Sequence, residues 1–463
     1  VIRVYNTLTR RLEDFETREP GKVGMYVCGP TVQSEPHVGH GRGAVAFDVI
    51  RRYLTWRGYE VTYVRNITDI EDKIIAAAAE TGESTESLAE RMGARFADAY
   101  RGLGVLAPDH EPKASEHIEE IIDLTSRLID RGLAYASDGD VYFRVSALES
   151  YGKLSGTRPE ELRAGYRIEV GESKIDPLDF ALWKGAKPGE PYWESPWGPG
   201  RPGWHIECSA MAGKYLGNGF DIHGGGSDLI FPHHENEIAQ SEGASGEPLA
   251  RYWLHNGMVN LGGEKMSKSE GRVVDLATIL SGRGGQAMRL LFLRAHYRSP
   301  IEYSSELLDD AEEALSRLVR FRERVAPGEP DQAALERFRE IMDDDFSTPE
   351  AVSLMFDLVR EGNRIADAGG DAASLAGAVE EIVAVLGIFD ALPAPDEIPD
   401  VSAVAERFGV TSSGAEAIED LIEMRRVARA ERRFEEADAI RTALEGAGVQ
   451  LEDGPDGTRW VRL

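Results

Sequence analysis

Between Val23 and Ile67 a strand, a loop holding two histidines, a helix and a second strand follow one another, and this order restricts the fold more than any other stretch. Val23 to Val27 is apolar and ends at Gly29-Pro30. Tyr59 to Ile67 sets Val61, Tyr63 and Arg65 against Glu60, Thr62 and Val64, so both patterns predict strands. Between them Ala44 to Trp56 carries Val45, Val49, Tyr53 and Trp56 at helical spacing, with Gly58 as the stop. Such a unit closes right-handed into a parallel sheet. It puts the loop His37-Val38-Gly39-His40 at a helix N-terminus, where free backbone N–H groups favour an anion.

A second unit of the same logic runs from Ile206 to Met258. It reads as a helix near Ser209 to Leu216, a strand Phe220 to His223, a glycine-rich loop, a helix Pro232 to Gln240 and a strand Tyr252 to Met258. Helices fill about Ser84 to Gly132, Tyr135 to Val145 reads as a hairpin around Asp138-Gly139, and Lys184 to Trp204 is rich in Pro, Gly and Trp. The middle is therefore an insertion in a split nucleotide fold. Beyond the basic loop Lys265-Met266-Ser267-Lys268-Ser269 the pattern turns helical: Ala311 to Arg324, Ala333 to Met342, a helix with Thr348 as N-cap and Pro349 next, and Ala373 to Leu386. Leu392 to Asp400, with three prolines, is a linker, and no internal repeat is present. The expected fold class is α/β, a Rossmann-like parallel sheet split by an insertion, followed by an α-helical bundle and a small C-terminal domain. The boundaries expected are 1–130 and 201–260 for the two halves of the sheet domain, 131–200 for the insertion, 261–308 for the lysine-loop region, 309–392 for the bundle and 401–463 for the last domain.

With 463 residues, 42% of them hydrophobic, the chain can build several cores. No apolar run reaches the roughly 18 residues of a membrane helix, and the first residues lack the layout of a secretion signal. A soluble protein of the cytoplasm, without a membrane partner, is expected. Two cysteines in so long a chain exclude a disulfide scaffold. The formal charge of −29 counts against nucleic-acid binding at long range. Binding needs only local basic stripes, however, and Arg317, Arg320, Arg322 and Arg324, then Arg425, Arg426, Arg429, Arg432 and Arg433, offer two. Interleaved glutamates make a solvated helix face the plainer reading of both.

The chemistry-bearing residues point to ATP. Two imidazoles, His37 and His40, can donate to phosphoryl oxygens, and Gly39 leaves room for a nucleotide against the backbone. Lys265 and Lys268, flanked by Gly262-Gly263 and Gly271, suit a loop that closes over a triphosphate as charge builds on the leaving group. Each cysteine lies in a segment of that site, Cys28 before the histidine loop and Cys208 before a His/Glu cluster, which suggests a metal that selects the substrate. His233 and Glu237, four apart on a helix, share one face and could complete a tetrahedral zinc shell with Cys28 and Cys208. His234 and Glu235 are adjacent competitors. Asp228, after His223-Gly224-Gly225-Gly226, could take a ribose hydroxyl. Trp193, Trp197 and Trp204 could line a pocket or simply pack a loop.

These residues fall in strings that carry a family resemblance over nearly the whole chain: Tyr5-Asn6-Thr7-Leu8-Thr9-Arg10, Met25-Tyr26-Val27-Cys28-Gly29-Pro30-Thr31-Val32, Tyr63-Val64-Arg65-Asn66-Ile67-Thr68-Asp69-Ile70, Gly203-Trp204-His205-Ile206-Glu207-Cys208-Ser209-Ala210 and Phe231-Pro232-His233-His234-Glu235-Asn236-Glu237. The chain resembles the bacterial cysteinyl-tRNA synthetases, which are class I aminoacyl-tRNA synthetases. The resemblance implies activation of L-cysteine with ATP and Mg2+ and transfer to tRNA-Cys by a monomer. It puts His37, His40, Lys265 and Lys268 in the catalytic role, Gly29, Thr31, Gly39 and Asp228 with them around ATP, and Gly29, Thr68, Trp204 and His223 around cysteine. It implies one Zn2+ on Cys28, Cys208, His233 and Glu237, tRNA binding by the bundle, and anticodon recognition by 401–463. Zinc also fits a physical need: serine differs from cysteine by one atom, a distinction that an apolar pocket makes poorly and a thiophilic ion makes well.

The sequence departs from the family at Gln33, where an aromatic residue is expected, at Pro36 before the first motif histidine, and at Glu270 and Arg272 after the lysine loop. These bear on loop closure and ATP affinity. Val1 replaces Met and is expected to mark a non-standard start or a processed end. Two rivals remain: a cysteine ligase that joins the adenylate to an amino sugar, as in mycothiol synthesis, against which residues 401–463 count, and a non-catalytic tRNA-binding paralogue, against which the triphosphate clamp counts.

Overall fold

The protein is described from a computed structural model, covering residues 1–157, 173–261, 264–265, 274–389, 401–412, 414–430, 433–454 and 457–462. The chain divides into two compact units, Val1–Ala391 and Leu392–Leu463.

The first unit is built on a four-stranded parallel sheet whose order across the sheet is Ala250–Asn256, Phe220–Gly226, Lys22–Val27, Glu60–Arg65. Met25, Tyr26 and Val27 pair with Ile222, His223 and Gly224, so segments far apart in sequence share one ladder. Alternation of side chains supplies both faces. Met25, Val27, Tyr63 and Leu254 join the large core that runs through the helices Val38–Trp56 and Gly285–Leu293 to Phe321, Phe338 and Leu386. Tyr26, Val64 and Trp253 face a second core with Cys208, Met211 and Phe220. Helices Ser305–Arg324, Gln332–Asp343, Thr348–Asp367 and Ala373–Leu386 are thus packed on the sheet domain itself.

Between the sheet halves lies a separate antiparallel sheet of Ala134–Ser137, Asp140–Phe143, Phe180–Gly185 and Gly200–Pro202. Its first hairpin turns at Asp138 and Gly139, both at positive φ. A three-stranded sheet of Glu264–Lys265, Val259–Leu261 and Ile301–Tyr303 follows the parallel strands. The second unit has its own core, with Ile418, Leu421, Ile440 and Leu444 from its helices and Val449 and Leu451 from the hairpin Val449–Gly454/Gly457–Arg462.

Three expectations change in detail. The glycines after His223 are not a loop but the end of strand Phe220–Gly226. A Cβ on Gly224 would lie 2.3 Å from the Phe47 ring and one on Gly225 2.8 Å from His234, so glycine there marks close approach. The helix Val38–Trp56 begins six residues earlier than its apolar periodicity, which places His40 in the first turn. Ser347, not Thr348, is the N-cap of Thr348–Asp367, with Pro349 still in the first turn.

Candidate active site and metal centre

Strand ends and a helix start create the site. Cys28 and Gly29 follow strand Lys22–Val27, and the Cys28 N–H donates to the carbonyl of Gly224 (3.0 Å). Gly29 is required: a Cβ would sit 1.6 Å from the Asn66 carbonyl oxygen. The chain then reaches His37, which caps helix Val38–Trp56 from extended backbone. The His37 and His40 rings stack at 3.6 Å, and the His37 N–H donates to His40 Nδ1 (3.1 Å). That bond puts the His40 proton on Nε2, where it can be donated to an anion.

A cavity of about 350 Å³ opens here. Of the residues expected around nucleotide and amino acid, Gly29, Thr31, His37, Gly39, His40, Trp204 and Asp228 line it, as does Cys28. Thr68 and His223 do not. Thr68 is buried with its hydroxyl accepting from Asn66 Nδ2 (3.3 Å), and His223 Nε2 bonds Glu237 Oε2 (2.9 Å) while its ring stacks on Trp253. Gln33 lines the cavity, whereas the carbonyl of Pro36 accepts from Leu276 N (3.0 Å). Lys268 lies outside the described residues, with Glu270 and Arg272. The Lys265 backbone pairs with Asn260.

The four expected metal ligands converge beneath this cavity. Donor atoms of Cys28, Cys208, His233 and Glu237 all lie within 4.8 Å of one another. Helix Trp204–Leu216 brings Cys208, and the kinked segment Ile230–His234, extended at Phe231, leads into helix Glu235–Ser245 and with it brings His233 and Glu237. Cys28 Sγ donates to Glu237 Oε1 (3.2 Å), and His233 Nε2 lies 3.2 Å from the same oxygen. Tetrahedral bonds to zinc imply ligand separations of roughly 3.3–3.8 Å. Two sulfurs, one nitrogen and one oxygen at this spacing fit a thiophilic divalent ion. Cys28, His223, His234 and Glu237 form an overlapping second set.

Electrostatics agree with a site built for a cation. Burial, then the neighbouring Cys208 and Glu237, push the Cys28 thiol well up. For Cys208 a hydrogen bond from Cys28 pulls down, but burial and Glu237 outweigh it and the thiol rises. Burial opposes ionisation of Glu237, yet His223 and His233 hold its carboxyl below the ordinary range. His233 is pushed down to about 3 by burial, so its ring is neutral and able to ligate.

Several residues here carry no signal of their own in the sequence. His205 Nδ1 bonds His233 Nδ1 (2.9 Å), which leaves His233 Nε2 aimed at the cluster. Asn66 Oδ1 accepts from Gly29 N (2.9 Å) and lies 3.6 Å from Cys208 Sγ, tying cavity wall to cluster. Both sit inside the resemblance strings, which is the one place they could have been found. Arg65, Lys73 and Asn256 also line the cavity, and Lys73 Nζ lies 5.7 Å from the Trp204 ring centre.

Comparison with known proteins decides the family. Residues 14–313 match the family described as tRNA synthetases class I (C) catalytic domain, and residues 337–390 match the DALR domain. The cysteine–tRNA ligase of Geobacter metallireducens is 50% identical over 99% of both chains, and that of Geobacter sulfurreducens 51% identical over 99% of both. The chain belongs to the cysteine–tRNA ligase family. The fold has solved counterparts among class I synthetases. Methionyl-tRNA synthetase of Mycobacterium tuberculosis superposes with a TM-score of 0.58 at 19% identity, covering 85% of this chain and 97% of that one. LeuRS of Agrobacterium radiobacter, in a ternary complex with tRNA, gives 0.59 at 12% identity, covering 81% and 85%. Among the described residues no helix is long and apolar enough to cross a membrane.

Proposed function

We propose that this cysteine–tRNA ligase joins L-cysteine to the α-phosphorus of MgATP, releasing pyrophosphate, and passes the cysteinyl group to the 3′ end of tRNA-Cys, with zinc held by Cys28, Cys208, His233 and Glu237. The observation that carries this reading is that Cys28 belongs both to the donor cluster and to the wall of the cavity that His37, Gly39 and His40 line. A bound zinc ion would supply preference for a thiolate over a hydroxyl. The chain does the rest. His40 Nε2–H and His37 donate to phosphoryl oxygens, Gly29 and Gly39 let the nucleotide lie on the backbone, Asp228 accepts from ribose, and Lys265 and Lys268 bring positive charge to the leaving group. Trp204, its ring centre 4.4 Å from that of His233 and tilted against it, walls the amino-acid end together with Gly29, while Thr68 bonds Asn66, which holds Gly29, and His223 holds Glu237. We assign 309–392 to tRNA binding, 401–463 to anticodon recognition, and 131–200 to the connective insertion between the sheet halves 1–130 and 201–260, with 261–308 as the lysine-loop region.

The test is cysteine-dependent exchange of labelled pyrophosphate into ATP, repeated with serine and after chelation. Exchange with cysteine, none with serine and loss on chelation are expected. No exchange with cysteine would end the reading, and exchange without charging of tRNA would favour the amino-sugar ligase.

A further inference from the structure

Arg65 is a buried cation in the cavity wall to which the chemistry proposed above gives no task. It ends strand Glu60–Arg65, at the edge of the parallel sheet, and is 5% exposed. Its Nη2 donates to Glu111 Oε1 (2.8 Å), a carboxylate that is itself 37% exposed. Its Nε and Nη1 are buried and meet no hydrogen-bond acceptor among the described residues. A guanidinium cannot shed its charge, so donors left unmet in a dry wall are costly until a ligand meets them.

The surroundings hold the guanidinium without answering it. Its Cζ lies 4.5 Å from the centre of the Tyr100 ring. Burial pushes the neighbouring phenols up, that of Tyr63 and that of Tyr100 to about 12, so neither is an anion at neutral pH. Asp228 is the only carboxylate among the described residues that line the cavity. It follows strand Phe220–Gly226, and strand Lys22–Val27 stands between that strand and Glu60–Arg65. The missing acceptor must therefore come with a substrate.

Position favours a carboxylate over a phosphate. Arg65 pairs in register with Val27, the residue before Cys28, and a Cβ on Gly29 would lie 3.3 Å from Arg65 Cγ, so its stem runs along the segment that carries one donor sulfur. A cysteine held by its sulfur at the donor cluster has only its β- and α-carbons between that sulfur and its carboxylate. The planar fork of a guanidinium matches the two oxygens of such a group. Lys73, which also lines the cavity, is exposed and offers a point charge rather than a fork. We propose that Arg65 receives the α-carboxylate of cysteine and orients it toward the α-phosphorus, an inference that rests on the function proposed above and names the residue that positions the nucleophile. One carboxylate oxygen forms the bond to phosphorus as the bond to the pyrophosphate oxygen breaks, while the other stays on Arg65.

The experiment compares cysteine with cysteamine, which keeps thiol and amine but lacks the carboxylate, on the full chain supplied with zinc. KM for cysteine, KM for ATP and Ki of cysteamine are read in pyrophosphate exchange for the unmodified chain, Arg65→Gln and Arg65→Lys, beside the thermal midpoint. Arg65→Gln should raise KM for cysteine about ten- to hundredfold, the loss expected for hydrogen bonds between charged groups, while KM for ATP and Ki of cysteamine stay within about threefold. Arg65→Lys keeps the charge without the fork and should recover part of the loss. It carries the same comparison if Arg65→Gln does not fold. In the unmodified chain cysteine should bind at least about tenfold more tightly than cysteamine, and parity overturns the proposal without any variant. Equal rises for cysteine and cysteamine overturn it, since Arg65 would then only shape the wall. No rise in KM for cysteine also overturns it, and a rise for ATP alone would give Arg65 to a phosphoryl group. These outcomes strike Arg65 alone as long as the unmodified chain exchanges pyrophosphate with cysteine. An unmodified chain that does not exchange refutes the proposed function itself.

Discussion

At the residue scale, the selectivity proposed above rests on a few donor atoms and on what aims them. Cys208→Ser keeps the shape of the site but replaces a soft donor with a hard one. KM for cysteine should rise about a hundredfold while KM for ATP stays within about threefold, and equal loss of both would remove the metal from substrate choice. His205→Ala frees the His233 ring, so metal affinity should fall roughly 10–100-fold, read by competition with a chromophoric chelator. The buried imidazoles also set a pH limit. Burial pushes His205, His233 and His255 down to about 3, whereas unfolded histidine titrates near 6.5. The unfolded chain therefore binds protons that the folded chain refuses, so this contribution to stability is complete above about pH 6.5 and is lost progressively as pH falls toward 3. The thermal midpoint of metal-free protein should be level from pH 8 to 7 and drop below 6.5, and a midpoint unchanged down to pH 5 would contradict this. The expected ligands were legible because they sit in long diagnostic strings. His205 and Asn66 were not, since their roles depend on an Nδ1 to Nδ1 contact and on a bridge that exists only after distant segments pack.

At the element scale, amphipathic spacing is a strong guide wherever one face is buried and one is wet. Ala373 to Leu386 is read from sequence with the same ends that the structure shows. Reading fails where tertiary approach overrides local pattern. Gly224 and Gly225 look like loop residues but end a strand because Phe47 and His234 occupy the space a side chain would need. The backbone kinks at Phe231, which is extended (φ −138°, ψ 133°), just before the helix that carries Glu237, a break that periodicity cannot express. Helix Val38–Trp56 depends on Arg42 in the same way. It is buried, and burial pushes it down to about 10, so it stays charged at neutral pH. Its guanidinium donates to the carbonyls of Phe292, Ala295 and His296, at the end of Gly285–Leu293 and just beyond it. Arg42→Met should cost about 2–4 kcal/mol in urea unfolding, by removing buried hydrogen bonds from a charged donor, and should lower exchange more than it weakens cysteine binding because His37 and His40 ride on that helix. Arg42→Lys should recover part of both. A variant as stable as the unmodified chain would show that these bonds add nothing to the fold.

For the whole molecule, net charge is a poor summary, because −29 averages over a surface that gathers arginines at one groove. Sequence could place Arg317, Arg320 and Arg324 on one helix face, but Arg294, Arg360 and Arg364 join them only through packing of three helices. The distribution of cores makes a further statement about assembly. The bundle helices share one core with the catalytic sheet, from Val27 through Phe47 to Phe321 and Leu386, so neither can be removed without exposing the other. Residues Leu392–Leu463 form a separate compact unit around Ile418, Leu421, Ile440 and Leu444. A chain ending at Ala391 should therefore remain folded, and cysteine-dependent pyrophosphate exchange, which needs only the cavity and the donor cluster, should stay within about threefold of the full chain, whereas charging of tRNA should fall at least tenfold as a contact surface is lost. Cutting instead at residue 300 removes nearly half of the shared core and should abolish both activities together with the folded state. The two truncations are compared by circular dichroism, exchange and charging in parallel. Loss of exchange in the chain ending at Ala391 would mean that the terminal unit acts on the adenylation site itself, and the division of labour between the two units would have to be abandoned.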